Sequence, residues 1–527
     1  MQLYSLLFVL FVSALLVAHR LVGRSSARQY QWVVLLVGSL AFYAWSDWRN
    51  IVFLLVTSFS TWYVGLQLAR LDVERKQQAK KAANRKEKKA LRQAFQKRKW
   101  HVLLIALILN FAILGYIKYW NVFLGYLRLD GSFLASRLLL PLGISFYTFT
   151  SLGYVIDVYN EKATPESSYP RYLLFVSWFP QLIQGPINKW EQISSQLLTP
   201  YDPDWDRTRR ALLLIGLGAL KKYVMADTIA GVIANCLDYI DYSTPGSVIV
   251  FGIVLYSIQQ YGDFSGGIDI VEGVSELFGV RMAQNFRQPY FAVSLADFWR
   301  RWHMSLGEWM RSYVFYPLAV RPSMMSLNKW GVRHLGKEVG RTLSACVSNI
   351  IVFLLVGLWH GAQLHYLLWG LYNGVIIALS DFCKPLFDRM KAALKIPEDS
   401  AGWHLWGIVR TFALVNIGRY FDRIDDPSRL LRAFANTVTN FQPQGMSTWL
   451  TVLHTTAYFK FTLMFAGVAL VLVFIVDVLS ERGVDVLGGI LRLPLVARYV
   501  LYLGVGSLVA FSFAAAVSGG GFLYANF

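Results

Sequence analysis

Eight stretches of nearly uninterrupted apolar sequence constrain this chain more than any other feature. They lie at residues 31–45, 51–69, 102–117, 246–260, 346–359, 364–380, 461–478 and 498–516. A helix of about 20 apolar residues matches the hydrocarbon core of a bilayer. Helices and closed barrels are the forms that satisfy their own backbone there. Weaker runs at 4–18, 138–156, 171–187, 211–226 and 404–418 extend the series. Period-two alternation is absent from these runs, which argues against strands. The expected fold is an all-α polytopic membrane protein with roughly 11 to 14 membrane-embedded helices. Composition agrees: charged residues make up 16% of the 527, against about a quarter in soluble proteins.

The formal net charge of +19 suggests nucleic acid in a soluble protein. Here much of it falls in residues 70–99, which include Arg75, Lys80, Lys81, Arg85, Lys88, Lys89 and Arg92. The positive-inside bias of cytoplasmic loops accounts for such a segment, and anionic headgroups are a compatible contact. The segment has no interleaved aromatics, so nucleic acid is not expected. With this loop in the cytoplasm, Arg20, Arg24 and Arg28 between the first two helices fall on the same side. The N-terminus is then extracytoplasmic. The first apolar segment lacks a basic n-region and a small-x-small site, so it reads as a retained helix. Cys236, Cys346 and Cys383 form no C-x-x-C and suggest neither a disulfide framework nor a zinc site. The whole chain, 1–527, reads as one multi-pass membrane domain. It comprises the basic loop 70–99, a motif-rich core at 141–372 and an aromatic tag at 519–527.

Ionisable groups in lipid are costly and mark functional interiors, which makes the core the informative region. Three clusters come first: Pro141–Phe149 leading to Tyr154, Asp157 and Tyr159; Phe179–Pro186; and Gln259–Gly267, with Asp263 and Ser265 at the end of an apolar run. Taken singly, each fits helix kinking and helix packing. A fourth cluster, Asn285–Tyr290 with Gln288, is followed by Asp297, Trp299, Arg300, Arg301, Trp302 and His303. Ser294 with Asp297 three places on has the form of a capping box. On a continuous helix Trp299 and His303 share a face, while Arg300 and Arg301 point elsewhere, toward headgroups, phosphate or the acid end of a donor. An interfacial amphipathic helix with snorkelling arginines reads equally well.

The fifth cluster is the sharpest. Residues 346–383 carry almost no charge, and an unbroken helix over them would be about 57 Å long, against a core of roughly 30 Å. The chain must break, and Gly357-Leu358-Trp359-His360-Gly361-Ala362 is the place. That leaves His360 at a helix break within apolar surroundings, as a reactive or a hydrogen-bonded structural residue. His365 is five positions on, and H-E-x-x-H is absent, so no metal site is expected.

Together these motifs resemble the membrane-bound O-acyltransferase family, in the bacterial branch of the alginate O-acetyltransferase membrane subunit and the teichoic-acid D-alanyl transfer protein. The resemblance rests on Leu140–Tyr147, Gln184-Gly185-Pro186, Asp263-Phe264-Ser265-Gly266, Asn285–Tyr290, Phe298–His303 and Gly357–Ala362, in order across about 141–370. It implies a ring of tilted helices around a transbilayer tunnel, with His360 and His303 in the catalytic positions. The expected tunnel or substrate-binding residues are Asp263, Ser265, Asn285, Gln288, Trp299, Arg300, Arg301, Trp302 and Trp359. The Asp-Phe-Ser-Gly-Gly at 263–267 departs from the family, where an aromatic commonly follows Ser-Gly.

A hydroxyl is a weak nucleophile at neutral pH and needs an adjacent base. Histidine suits that role, which the reading gives to His360. The ending Gly519–Phe527 resembles the aromatic tag of this branch, in which a tyrosine relays the acyl group; by that analogy Tyr524 is a possible acyl relay. Taken alone, the tag reads as an interfacial anchor. The expected donor is acetyl-CoA or an acyl carrier protein on the cytosolic side, with no tightly bound cofactor. The acceptor is an exported polysaccharide or cell-wall polymer, reached directly or through an extracytoplasmic partner. The expected place is the bacterial cytoplasmic membrane. The alternatives are D-alanyl transfer to teichoic acid and a non-catalytic polytopic transporter.

Overall fold

The computed structural model describes residues 5–126, 141–453 and 457–515. Tyr524 and the rest of the tag lie outside the described residues. Every regular element among the described residues is helical. Among the described residues six helices are long and apolar enough to cross a membrane: Leu6–Gly23, Trp48–Lys81, Arg85–Trp120, Leu343–His360, Thr462–Glu481 and Leu495–Phe513. Leu364–Phe382 and Lys384–Ala393 pass the same test only as a pair, bent by 56° at the break between them. The protein is thus a polytopic membrane protein. The other apolar runs form helices that are shorter, broken or more polar. The run at 171–187 splits into Tyr169–Ser177 and Phe179–Ile183 around Trp178, and the run at 211–226 ends in π-turns that carry Lys221 and Lys222.

The chain divides into two compact units, Met1–Ala211 with Val271–Ala283, and Leu212–Ile270 with Gln284–Phe527. The first contains α1 (Leu6–Gly23), α2 (Gln31–Asp47), α3 (Ile51–Lys81), α4 (Arg85–Tyr126) and α5 (Ile144–Tyr159). Here the structure corrects the reading of 70–99 as a loop. Most of that segment continues α3 and begins α4, with a turn at 82–84. Lys, Arg, Gln, Glu and Ala are good helix formers, so a charged segment need not be irregular. Asn84 caps α4 through its Oδ1, which accepts from the Glu87 N–H at 2.9 Å. Glu87 in turn accepts from the Ala83 N–H at 2.9 Å. Lys99 is buried, donating to Asp72 at 2.9 Å and to the Tyr159 carbonyl at 3.0 Å. It therefore ties α3, α4 and α5 together.

Within the same unit, α5 is buried along nearly its whole length. Gly143 precedes it at φ +67°, and a Cβ there would stand 2.5 Å from the Leu182 carbonyl oxygen. The Pro-Leu-Gly motif is therefore a close backbone crossing. Gln181 donates to the Phe175 carbonyl at 2.8 Å and accepts from Asn188 at 2.9 Å. These bonds tie the Gln181 amide into the kink at Phe179–Pro186.

The second unit holds α6 (Trp205–Ala219) from Leu212 on and its π-helical continuation Leu220–Asp227, α7 (Gly246–Leu277) as far as Ile270, α8 (Leu295–Arg301), α9 (Met304–Met310), α10 (Leu343–His360), α11 (Leu364–Phe382), α12 (Ala401–Arg423), α13 (Ala457–Glu481) and α14 (Leu495–Ala515). One apolar cluster packs Ile233, Leu237, Ile249 and Ile253 against Leu430 and Ala433.

Candidate functional site

The break expected in 346–383 falls at 361–363, between α10 and α11. Three glycines let the two helices touch backbone to backbone. A Cβ at Gly357 would lie 2.4 Å from the Tyr366 carbonyl oxygen, one at Gly370 2.4 Å from that of Phe353, and one at Gly374 2.9 Å from the Ile350 Cα. His360 is the last residue of α10 and is buried at 9% exposure. Its ring lies 4.8 Å from Trp359, 5.3 Å from Trp369 and 5.9 Å from Tyr366. An aromatic collar thus surrounds the imidazole at a helix end that tight packing forbids from shifting.

The second histidine is placed by a different device. Ser294 caps α8, its hydroxyl accepting from the Asp297 N–H at 3.1 Å. The helix then stops at Arg301, so Trp299 and His303 do not share one helical face as the continuous-helix reading expected. His303 instead takes a left-handed conformation, φ +46°, which is uncommon for a residue with a Cβ. Two backbone bonds hold the turn: the Arg287 N–H to the Arg301 carbonyl at 3.0 Å, and the Met304 N–H to the Asn285 carbonyl at 2.9 Å.

The Asn285 Oδ1 accepts from the Ser305 N–H at 3.1 Å and from its hydroxyl at 2.8 Å. Because a backbone N–H can only donate, that atom is the amide oxygen. The His303 Nδ1, 3.1 Å away, must then carry the proton, which leaves the lone pair on Nε2. His303 lies outside the membrane-crossing helices, and burial pushes its pKa down to about 3, so the ring is neutral at physiological pH.

Both histidines line one cavity of about 400 Å³, together with Trp299, Trp302, Arg300 and Arg311. Trp359 is in contact with both rings, 5.9 Å from His303 and 4.8 Å from His360. Trp299 is fixed by its indole N–H, which donates to the Asn373 Oδ1 at 3.0 Å. Arg300 reaches the cavity with its side chain 59% exposed, 3.3 Å from Asp297. Arg301 is committed elsewhere, to Asp297 at 3.1 Å and Glu481 at 2.8 Å. Gln288 lies outside the cavity lining, and its backbone takes φ +35° before Pro289.

The remaining candidates, Asp263 and Ser265, lie outside the cavity lining. Asp263 pairs with Lys222, which also binds Asp227 at 2.7 Å. The Ser265 hydroxyl donates to the Tyr261 carbonyl of its own helix at 2.6 Å. Sequence reasoning missed Ser305, Arg311, Lys221 and Lys222. Of these, two adjacent lysines inside an apolar run were a legible signal.

The model of the membrane-bound O-acyltransferase family matches residues 161–324 and 325–408, and both histidines fall within the match. The chain is 31% identical over 363 residues to the probable alginate O-acetylase AlgI of Pseudomonas aeruginosa, covering 67% of this chain and 61% of that protein. It is 32% identical over 314 residues to the peptidoglycan O-acetyltransferase of Helicobacter pylori, covering 54% and 55%. With the teichoic acid D-alanyltransferase of Bacillus subtilis it shares 28% over 292 residues, covering 53% and 67%. The chain spans less than two thirds of the length of the alginate relatives it matches.

Proposed function

We propose, since the chain belongs through residues 161–324 and 325–408 to the membrane-bound O-acyltransferase family, that it moves an acyl group, in the first instance acetyl, from a thioester to hydroxyls of an exported polysaccharide or cell-wall polymer. The observation that carries this reading is the shared cavity, which brings two motif histidines from separate breaks to one space.

In the proposed reaction the acceptor oxygen attacks the thioester carbonyl while its proton passes to the His360 imidazole. The carbon–sulfur bond then breaks, and the departing thiolate takes that proton from His360, which restores the neutral imidazole. His303, held by Asn285 with its Nε2 lone pair as an acceptor, orients the reacting groups. The collar of tryptophans excludes water, which would otherwise hydrolyse the thioester. The donor is acetyl-CoA or an acyl carrier protein on the cytosolic side. The acceptor approaches from the opposite face, directly or through an extracytoplasmic partner. The basic hairpin of α3 and α4 fits a cytoplasmic position and so an extracytoplasmic N-terminus in the bacterial cytoplasmic membrane. Tyr524 is proposed as an acyl relay.

The similarity to a teichoic acid D-alanyltransferase supports D-alanyl transfer as a second reading. The purified protein in liposomes, given acetyl-CoA labelled in the acetyl group or a D-alanyl-loaded carrier protein, separates the two. Label is expected on polymer hydroxyls from acetyl-CoA. Label from the D-alanyl carrier alone favours the second reading, and label from neither donor overturns acyl transfer. An acylated C-terminal peptide is expected if Tyr524 relays; full activity of Tyr524→Phe overturns that role.

A further inference from the structure

Trp302 joins the end of α8 to His303, and its ring is buried at 3% exposure. Phe286 meets it edge-on at 5.1 Å and Phe298 stacks on it at 5.5 Å. The guanidinium of Arg419, from α12, lies over the same ring, 5.0 Å from its centre. Arg419 is itself 4% exposed and donates to Asp422 at 2.9 Å. The Asp422 carboxylate also accepts from Gln260 at 3.1 Å, which ties the pair to α7.

Two physical facts make this arrangement informative. A buried ion pair adds little net stability, because desolvation offsets its attraction. A packed apolar pair often replaces it without loss, so stability alone gives no reason for a buried arginine here. Second, His303 occupies a left-handed backbone conformation, which persists only where the surroundings over-determine it. The residue immediately before it is the one the guanidinium covers, and a desolvated cation over a tryptophan face is a strong, oriented contact.

We propose that Arg419, anchored by Asp422, is a positioning residue for His303: by fixing the plane of Trp302 it holds the left-handed turn and aims the imidazole into the cavity. The catalytic part of this inference rests on the acyl-transfer reading; the geometric part does not. Arg419 touches no reacting atom in this account.

The test uses the full chain in liposomes, with two readouts. The variant Arg419→Met/Asp422→Leu replaces the ion pair by apolar groups. Its thermal midpoint is expected to match or exceed that of the wild type, while kcat falls by between about 10- and 100-fold with KM unchanged. Arg419→Lys keeps the charge but loses the planar fork, so its kcat is expected to be intermediate. In parallel, mass spectrometry follows the carbethoxylation of His303 by diethyl pyrocarbonate, expected to change several-fold in the double variant while that of the remote His334 stays constant.

A stable double variant with wild-type kcat and wild-type labelling overturns the proposal. If the double variant does not fold, Arg419→Lys decides: lowered kcat at unchanged stability supports positioning, and full activity overturns it. If the wild type transfers no acyl group, the functional reading fails, and the labelling ratio alone decides the geometric claim.

Discussion

Two segments of this chain look alike in sequence and behave differently in the fold. Gly357–Gly361 and Gly262–Gly266 each set a titratable residue between glycines within an apolar run. At the first, the helix ends and His360 faces a cavity. At the second, α7 runs through without a break. There a Cβ at Gly262 would lie 2.7 Å from the Lys221 carbonyl oxygen, and one at Gly266 2.7 Å from that of Gly218. The glycines admit a neighbouring backbone, and that neighbour brings Lys222 to Asp263. What separates the two outcomes is the packing partner. A partner that supplies an opposite charge turns a buried ionisable group into structure, whereas one that supplies aromatic walls leaves it facing a space where substrate chemistry can occur.

The largest effect that would break this contrast concerns the histidine. His360→Ala is expected to lower kcat by about 10² to 10⁴, with the thermal midpoint near that of the wild type, as measured by acyl transfer and a melting curve on one preparation. Next comes Asp263→Ala, which strips Lys222 of one of its two carboxylates. Lys222 keeps Asp227, so the cost should fall below the about 3–5 kcal/mol of an uncompensated buried charge; yield and midpoint should drop while the folded fraction keeps its kcat. A stable, inactive Asp263→Ala protein would move the Asp-Phe-Ser-Gly-Gly motif into the chemistry.

Glycine substitutions sharpen the comparison at a smaller scale. Gly266→Ala and Gly370→Ala both force a methyl against a backbone carbonyl, at a cost of about 1–3 kcal/mol each by melting. Only Gly370→Ala is expected also to reduce kcat per folded molecule, because it shifts the hairpin that carries His360. Smallest is Ser265→Ala. Its hydroxyl bonds its own helix, so stability should change by about 1 kcal/mol or less and kcat not at all.

The break before α11 was legible from length alone, since helix rise and bilayer thickness leave no other solution. The Ser294 cap was legible because it is a local bond. His303's left-handed turn was not, because Asn285 defines it from 18 residues away. Arg301 read as available for a ligand, yet Glu481 claims it from 180 residues along the chain. Residues 70–99 show a further limit. Their charge bears on which side of a membrane they occupy, but it does not distinguish loop from helix. Asp263 shows the same limit: its partner Lys222 was visible as an oddity in an apolar run, but the pairing required the fold.

The central claim is that His303 and His360 serve one reacting centre. A double-mutant cycle tests it most directly, with kcat/KM for acyl transfer measured for the wild type, His303→Ala, His360→Ala and the double variant in the same liposomes. Residues that act as a unit are strongly non-additive, so the double variant should be no slower than the slower single variant. Losses that multiply would show two independent contributions and contradict a shared cavity as the seat of the reaction.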